Sequence, residues 1–254
     1  MIVSVDINEM KHGSKMKGTV SKLRIIVGRD LLHANAGRAV ENRALLDKNR
    51  VVAVNLISSP GSGKTTLLEK TAELLRGKMS IGVVVGDLYT ARDAQRIERA
   101  GVTAVQINTA GLCHLTADMV GRALQEMPLA RLDILFVENV GNLVCPAAFD
   151  LGEHVKVALL SVTEGIDKPA KYPGIFREAA ATVISKADLL PYTDFDLPAC
   201  LGEMRQINGG QQVFVTSARS GQGLDRWCHW LGQLAGDNLP PVEAGGSYTG
   251  GTGG

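Results

Sequence analysis

Residues 51–66, Val-Val-Ala-Val-Asn-Leu-Ile-Ser-Ser-Pro-Gly-Ser-Gly-Lys-Thr-Thr, carry the reading that decides the fold. The run 51–57 is continuously apolar rather than alternating, which is how a strand covered on both faces reads. It passes directly into Ser58-Ser59-Pro60-Gly61-Ser62-Gly63-Lys64-Thr65-Thr66 and then a stretch with helical spacing. Strand, glycine-rich turn, Gly-Lys-Thr and helix in that order form the phosphate-binding P-loop pattern. Gly61 and Gly63 let backbone amides approach phosphate oxygens, and the helix N-terminus attracts their charge. Lys64 reaches the β and γ phosphates, while the Thr65 hydroxyl suits Mg²⁺. The first position of the loop, glycine in the usual pattern, is Ser58. The competing reading is a glycine-rich turn with no ligand.

Six further apolar runs lie at 81–86, 102–107, 133–138, 156–162, 182–185 and 212–216. Helix-like segments near 64–76, 90–100, 116–127, 198–207 and 223–235 separate most of them. This alternation predicts an α/β fold, a mostly parallel sheet of about seven strands with helices on both faces. Residues 51–236 form that P-loop domain. Residues 1–50 form an N-terminal extension: a short strand or mobile arm over 1–24, then an amphipathic helix, or a pair broken at Gly37, between Asp30 and Arg50. Residues 237–254 form a tail with six glycines in its last ten positions, too poor in apolar residues to be ordered.

Composition excludes several classes. The chain has 254 residues, with 27 Lys or Arg against 26 Asp or Glu, a formal net charge of +1. Such a balance offers no electrostatic footprint for nucleic acid or an anionic membrane. No apolar run reaches the roughly 18 residues of a bilayer span, and the first residues lack a secretory pattern. A cytoplasmic location is expected. Cys113, Cys145, Cys200 and Cys228 are too few and scattered for a disulfide framework.

Ligands of such sheets bind at the carboxyl ends of the strands. Two strand ends there carry acids, Gly86-Asp87 and Glu138-Asn139-Val140-Gly141. Asp87 and Glu138 are candidate Mg²⁺ ligands beside Thr65, and Gly141 could donate an amide to a γ-phosphate; otherwise the acids only cap the following segments. The last two strands lead into Ser185-Lys186-Ala187-Asp188 and Thr216-Ser217-Ala218. The first is like the Asn-Lys-x-Asp element of GTPases with Ser in place of Asn. Asp188 would accept from guanine N1 and N2, Lys186 would pack over the base, and the Ser217–Ala218 backbone would meet the guanine oxygen. Together they favour GTP over ATP.

Cys113-His114 follow the run 102–107, and Cys145 lies just after Glu138–Gly141. A thiolate pair with an imidazole suits Zn²⁺, Ni²⁺ or Cu. Because these residues cannot close a four-coordinate shell between two adjacent positions, a two-fold dimer could supply the remainder. Cys200 and Cys228 lie on predicted helices and read as core. His12, His33, His154 and His229 are isolated and receive no role.

With these residues assembled, the chain resembles the HypB family, GTPases that insert nickel during maturation of nickel–iron hydrogenases. The resemblance is carried by SSPGSGKTTLL (58–68), GDLYTARDAQRI (86–97), QINTAGLCHLTADM (106–119), FVENVGNLVCPAAFDLGE (136–153), LSVTEGIDKPAKYP (160–173) and DLLPYTDFD (188–196). It implies slow hydrolysis of GTP to GDP and a nucleotide-dependent homodimer, with Ni²⁺ or Zn²⁺ on Cys113, His114 and Cys145. It also implies as partners a small zinc-containing accessory protein of the HypA kind and the hydrogenase large subunit. Residues 1–50 hold no Cys and two His, so the Cys-rich nickel motif and His-rich storage run of some members are not expected. Ala110, Thr116 and Ser185 stand where the family usually has Gly, Asp and Asn. The rivals are a sister metallochaperone for urease or a cobalamin-dependent mutase, and a non-catalytic metal- or nucleotide-binding scaffold.

Overall fold

The structure is a computed structural model and describes the backbone of residues 17–87 and 92–236, with side chains from residue 32 onward. Seven strands form one sheet: β1 (Val52–Ser58), β2 (Ile81–Asp87), β3 (Thr103–Asn108), β4 (Ile134–Glu138), β5 (Val155–Ser161), β6 (Ala181–Ser185) and β7 (Gln212–Val215). Their spatial order is β3-β2-β4-β1-β5-β6-β7. Every pairing is parallel, so the mostly parallel sheet expected from the continuous apolar runs is parallel throughout.

Helices α1 (Lys17–Asn49), α2 (Lys64–Leu75), α3 (Arg92–Arg99), α4 (Ala117–Glu126), α5 (Cys145–Ala148), α6 (Lys168–Lys171), α7 (Pro173–Glu178), α8 (Leu197–Ile207) and α9 (Leu224–Leu234) connect and cover the strands. Successive side chains of a strand point to opposite faces. Val54 and Leu56 of β1 therefore join Leu68, Ile97 and Trp227 on one side of the sheet. Ala53 joins Leu46, Val120 and Leu124 on the other. Trp227 is fully buried, and its indole Nε1 donates to Thr71 Oγ1 at 2.9 Å, which satisfies the one polar atom it takes into the core. Beneath β5 and β6 a third cluster forms around Phe176, Ile184 and Met204. Cys200 and Cys228 are buried there and beside Trp227, and burial pushes their thiols up to about 11 and about 12. They are core residues, as expected.

Two expectations need correction. Residues 17–24, taken as arm, belong to α1, which is one continuous helix through Gly37. No proline interrupts it, and tertiary packing of its second half sustains the long helix, because a lone helix gains little in water. Residues 1–16 and 237–254, where the rest of the arm and the tail were placed, lie outside the described residues. Cys145, expected in a loop, is instead the first residue of the one-turn helix α5, with Pro146 behind it. Helices this short carry no readable apolar period.

Candidate functional site

Strand register brings the separate motifs to one edge. Leu56 of β1 lies opposite Glu138 of β4, and Val85 of β2 lies opposite the same Glu138 from the other side. Asp87 lies opposite Asn108, at the start of the segment that reaches Cys113. The result is a cavity of about 460 Å³ lined by Pro60, Gly61, Gly63, Lys64, Thr65, Thr66, Asp87, Glu138, Gly141 and Lys186, among others.

The P-loop is held from within. Gly63 has φ 99°, a left-handed conformation that glycine adopts without a Cβ penalty, and helix α2 starts at the next residue. Lys64 is 8% exposed and donates to Ser58 Oγ at 2.9 Å, while Ser58 Oγ donates to the carbonyl of Ser59 at 2.8 Å. The serine at the position usually occupied by glycine thus tethers the phosphate-reaching lysine. Burial pushes the Lys64 ammonium below its ordinary range, and Glu138 is the largest opposing pull.

Glu138 is 4% exposed; its Oε1 accepts from Thr65 Oγ1 at 2.7 Å, and its Oε2 has no hydrogen-bond partner among the described residues. Burial pushes this carboxyl up to about 7, against the pull of Lys64 and Thr65. A hydroxyl and a buried, unsatisfied carboxylate oxygen facing a cavity of this kind fit a hard divalent cation. An acid whose pKa is raised on folding makes stability fall as pH rises from its unfolded value through its folded one. Without nucleotide or magnesium, Glu138→Gln should therefore gain on the parent protein between about pH 5 and pH 8, by up to about 3 kcal/mol. Urea unfolding at both pH values checks this. Parallel pH profiles for the two proteins would contradict it.

Gly141 stands against the loop: a Cβ there would lie 2.8 Å from Pro60 Cα. The segment after β4 therefore touches the P-loop backbone directly. On the other side of the loop, Ser185 Oγ donates to the Ser62 carbonyl at 2.6 Å, and Lys186 Nζ donates to the Gly61 carbonyl at 2.8 Å. Ser185 thus ties the two motifs together through its hydroxyl. Ser217 Oγ donates to Asp188 Oδ1 at 2.5 Å, so the two elements expected to select the base meet. Ser62, Asp188, Ser217 and Ala218 do not line the cavity, whereas Arg96, Asp93, Gly86, Asn139 and Val140 do. Arg96, unassigned by sequence, is paired with Glu69 at 2.6 Å and donates to Thr66 Oγ1 at 3.1 Å. Its only signal was an i,i+3 spacing to Asp93 on the polar side of α3, which is too common to single out.

The three expected metal ligands converge. One donor atom each from Cys113, His114 and Cys145 lies within 4.8 Å of the others. Cys113 Sγ and His114 Nδ1 are 3.7 Å apart, close to the edge of about 3.6 Å that tetrahedral Zn–S and Zn–N bonds span. The His114 ring stacks on Phe149 with centroids 4.0 Å apart, and burial lowers its pKa, which favours the neutral, ligating form. The Cys145 thiol is raised, first by its hydrogen bond with Cys113. Cys113 is exposed and the other two are half-buried, so the site opens to the surface. Asn142 Oδ1 accepts from Val144 N at 2.8 Å and so shapes the turn before Cys145. Thr116 caps α4, accepting from Met119 N through its side chain, a task Asp performs equally well. Ala110 holds φ 51°, a strained position that glycine would occupy freely.

Comparison with known proteins places the chain in a family. Residues 52–215 match the family model for the CobW/HypB/UreG nucleotide-binding domain. The hydrogenase maturation factor HypB of Azotobacter chroococcum mcd 1 is 50% identical over 221 residues, 87% of this chain and 72% of that protein. For HypB of Escherichia coli K12 the identity is 46% over 219 residues, covering 86% and 76%. The crystal structure of Helicobacter pylori HypB in complex with nickel aligns at TM-score 0.76 and 38% identity, over 80% of this chain and 95% of that one. Among the described residues no helix is long and apolar enough to cross a membrane. A P-loop beside a buried carboxylate, a Cys-His-Cys cluster on the neighbouring loops and likeness over most of the chain lead to one assignment: the chain belongs to the CobW/HypB/UreG family and, within it, to the HypB hydrogenase maturation factors.

Proposed function

We propose that this protein is a GTP-hydrolysing metallochaperone that delivers nickel during hydrogenase maturation, with metal affinity and dimerisation set by the bound nucleotide. The observation that carries the reading is that one short segment serves both sites. Residues 138–145 begin with Glu138 in the nucleotide cavity and end with Cys145 beside Cys113 and His114.

In this reading Lys64 and the amides of residues 61–66 hold the β and γ phosphates of GTP. Thr65 and Glu138, with Asp87 beside them, hold Mg²⁺, which offsets charge developing on the phosphates. Asp188, presented by Ser217, selects guanine together with Lys186 and the backbone at Ser217 and Ala218, so GTP is preferred to ATP. Asn142 is occupied in shaping its own turn and Arg96 is held by Glu69. Neither is free to orient water or reach a γ-phosphate, so unaided hydrolysis is slow, about 10⁻⁴ to 10⁻² per second. Cys113, His114 and Cys145 leave a coordination position that a second copy of the chain completes across a two-fold axis. The cargo is Ni²⁺ or Zn²⁺, both suited to thiolate and imidazole. A small zinc-containing accessory protein of the HypA kind and the hydrogenase large subunit would be its partners, in the cytoplasm.

The test is metal titration of the GDP form and of a non-hydrolysable GTP form, with the dimer fraction measured in parallel. Different metal affinities in the two forms are expected. By linkage the metal then shifts the nucleotide or dimer equilibrium by the same free energy. Equal affinities would leave Cys145 uncoupled from the γ-phosphate.

A further inference from the structure

Helix α1 takes no part in the function proposed above, yet its amide side chains have specific partners. Asn35 Oδ1 accepts from Ala117 N at 2.8 Å, and Asn35 Nδ2 donates to the Asp150 carbonyl at 2.7 Å. Asn42, 5% exposed, donates from Nδ2 to the Ala117 carbonyl at 2.8 Å and to the Leu151 carbonyl at 2.9 Å. Arg43 Nε adds a bond to the Gly152 carbonyl at 2.8 Å. Asn35 and Asn42 are two helical turns apart, so they share a face. Each of them joins the same two stretches of chain.

Those stretches are the continuations of the two metal-bearing loops. Ala117 follows His114 by three residues, and Asp150 and Leu151 follow Cys145 by five and six. Phe149, immediately before Asp150, is the residue whose ring stacks on His114. The direct polar links between the loops themselves are long or involve the thiols: Asn142 Nδ2 donates to the Cys113 carbonyl at 3.5 Å, Leu115 N donates to Asn139 Oδ1 at 3.3 Å, and the Cys145 thiol meets Cys113.

We propose that helix α1 is a positioning element for the metal site, with Asn35 and Asn42 holding the Cys113-His114 loop and the Cys145 loop at the separation a metal ion requires. This rests on the reading that Cys113, His114 and Cys145 bind metal. Apolar packing of α1, as at Leu46, is non-directional and tolerates sliding. Paired bonds from one carboxamide to two backbone segments do not, because hydrogen bonds weaken steeply off line. Metal sites accept deviations of only about 0.2 Å in ligand distance. Without the clamp, bound metal must itself supply the ordering of the two loops, and affinity falls.

The experiment uses the full chain and compares the parent protein with Asn35→Ala/Asn42→Ala and with Leu46→Ala. Leu46→Ala removes a buried contact of α1 and leaves both amide bridges. Zn²⁺ and Co²⁺ are titrated at a temperature where circular dichroism shows all three folded. The double asparagine variant should bind both ions about tenfold or more weakly, with a shifted Co²⁺ absorption spectrum and unchanged GDP affinity. Leu46→Ala should lose thermal stability but keep the metal affinity and the spectrum. Unchanged metal binding in the asparagine variant, or equal losses in both variants, overturns the proposal. If the parent protein binds neither ion, or a Cys113→Ala/His114→Ala variant binds as tightly as the parent, the metal reading itself fails.

Discussion

Replacing Lys64 with alanine is expected to lower GTP turnover by at least about 100-fold, the scale on which a preorganised electrostatic contact to developing charge acts. Lys64 is a buried cation held on Ser58 Oγ at the floor of the cavity. Its burial has already lowered its affinity for a proton, with Glu138 as the main compensating charge. A bound phosphate would add the negative charge this ammonium lacks. Alanine removes the cation, leaves Glu138 without its main opposing charge, and leaves the phosphates only the backbone amides and Mg²⁺. Phosphate release at saturating GTP measures the effect, and GDP affinity should fall with it. A variant that turns over GTP like the parent protein would place hydrolysis outside this cavity.

Loss of metal binding in the double variant Cys113→Ala/His114→Ala is the second large effect. Three donor atoms within 4.8 Å of one another form the cluster, and this variant removes two of them. Outer-sphere changes alone cost about 10- to 100-fold in metal affinity, so loss of two direct ligands should exceed that range. The variant should still fold, since Cys113 is exposed and His114 is half-buried, stacked on Phe149. Competition against a chromogenic chelator reads the affinity, with GDP binding as the control for the nucleotide cavity. Retained affinity would mean that other residues hold the metal.

Most of this site was legible because its parts are local. A P-loop is a strand, a turn and a helix contiguous in sequence, and its chemistry follows from residue types within 58–66. Adjacent Cys113 and His114 are equally local. Each strand was recognisable within a residue or two, because a strand in a covered parallel sheet is apolar throughout. The departures from family pattern were legible only as differences. Their compensations depend on partners elsewhere: Ser58 on Lys64 and Ser185 on the Ser62 carbonyl, 123 residues away in the chain.

By itself, the sequence determined the α/β class, the order of strands and helices along the chain, the phosphate loop and the Cys and His residues proposed as metal donors. These depend on local periodicity and on the chemistry of single residues. Only the tertiary structure decided that β4 inserts between β2 and β1, bringing Glu138 to Thr65 and Cys145 to Cys113. It alone decided that α1 runs unbroken and that Asn35 and Asn42 bond to the backbone that follows Cys113-His114 and Cys145. Asparagine on a polar helix face looks the same in sequence whether it meets water or a backbone amide 75 to 115 residues away. Such contacts come from sheet register and helix docking, which are set by burial summed over the whole core rather than by any short stretch of chain.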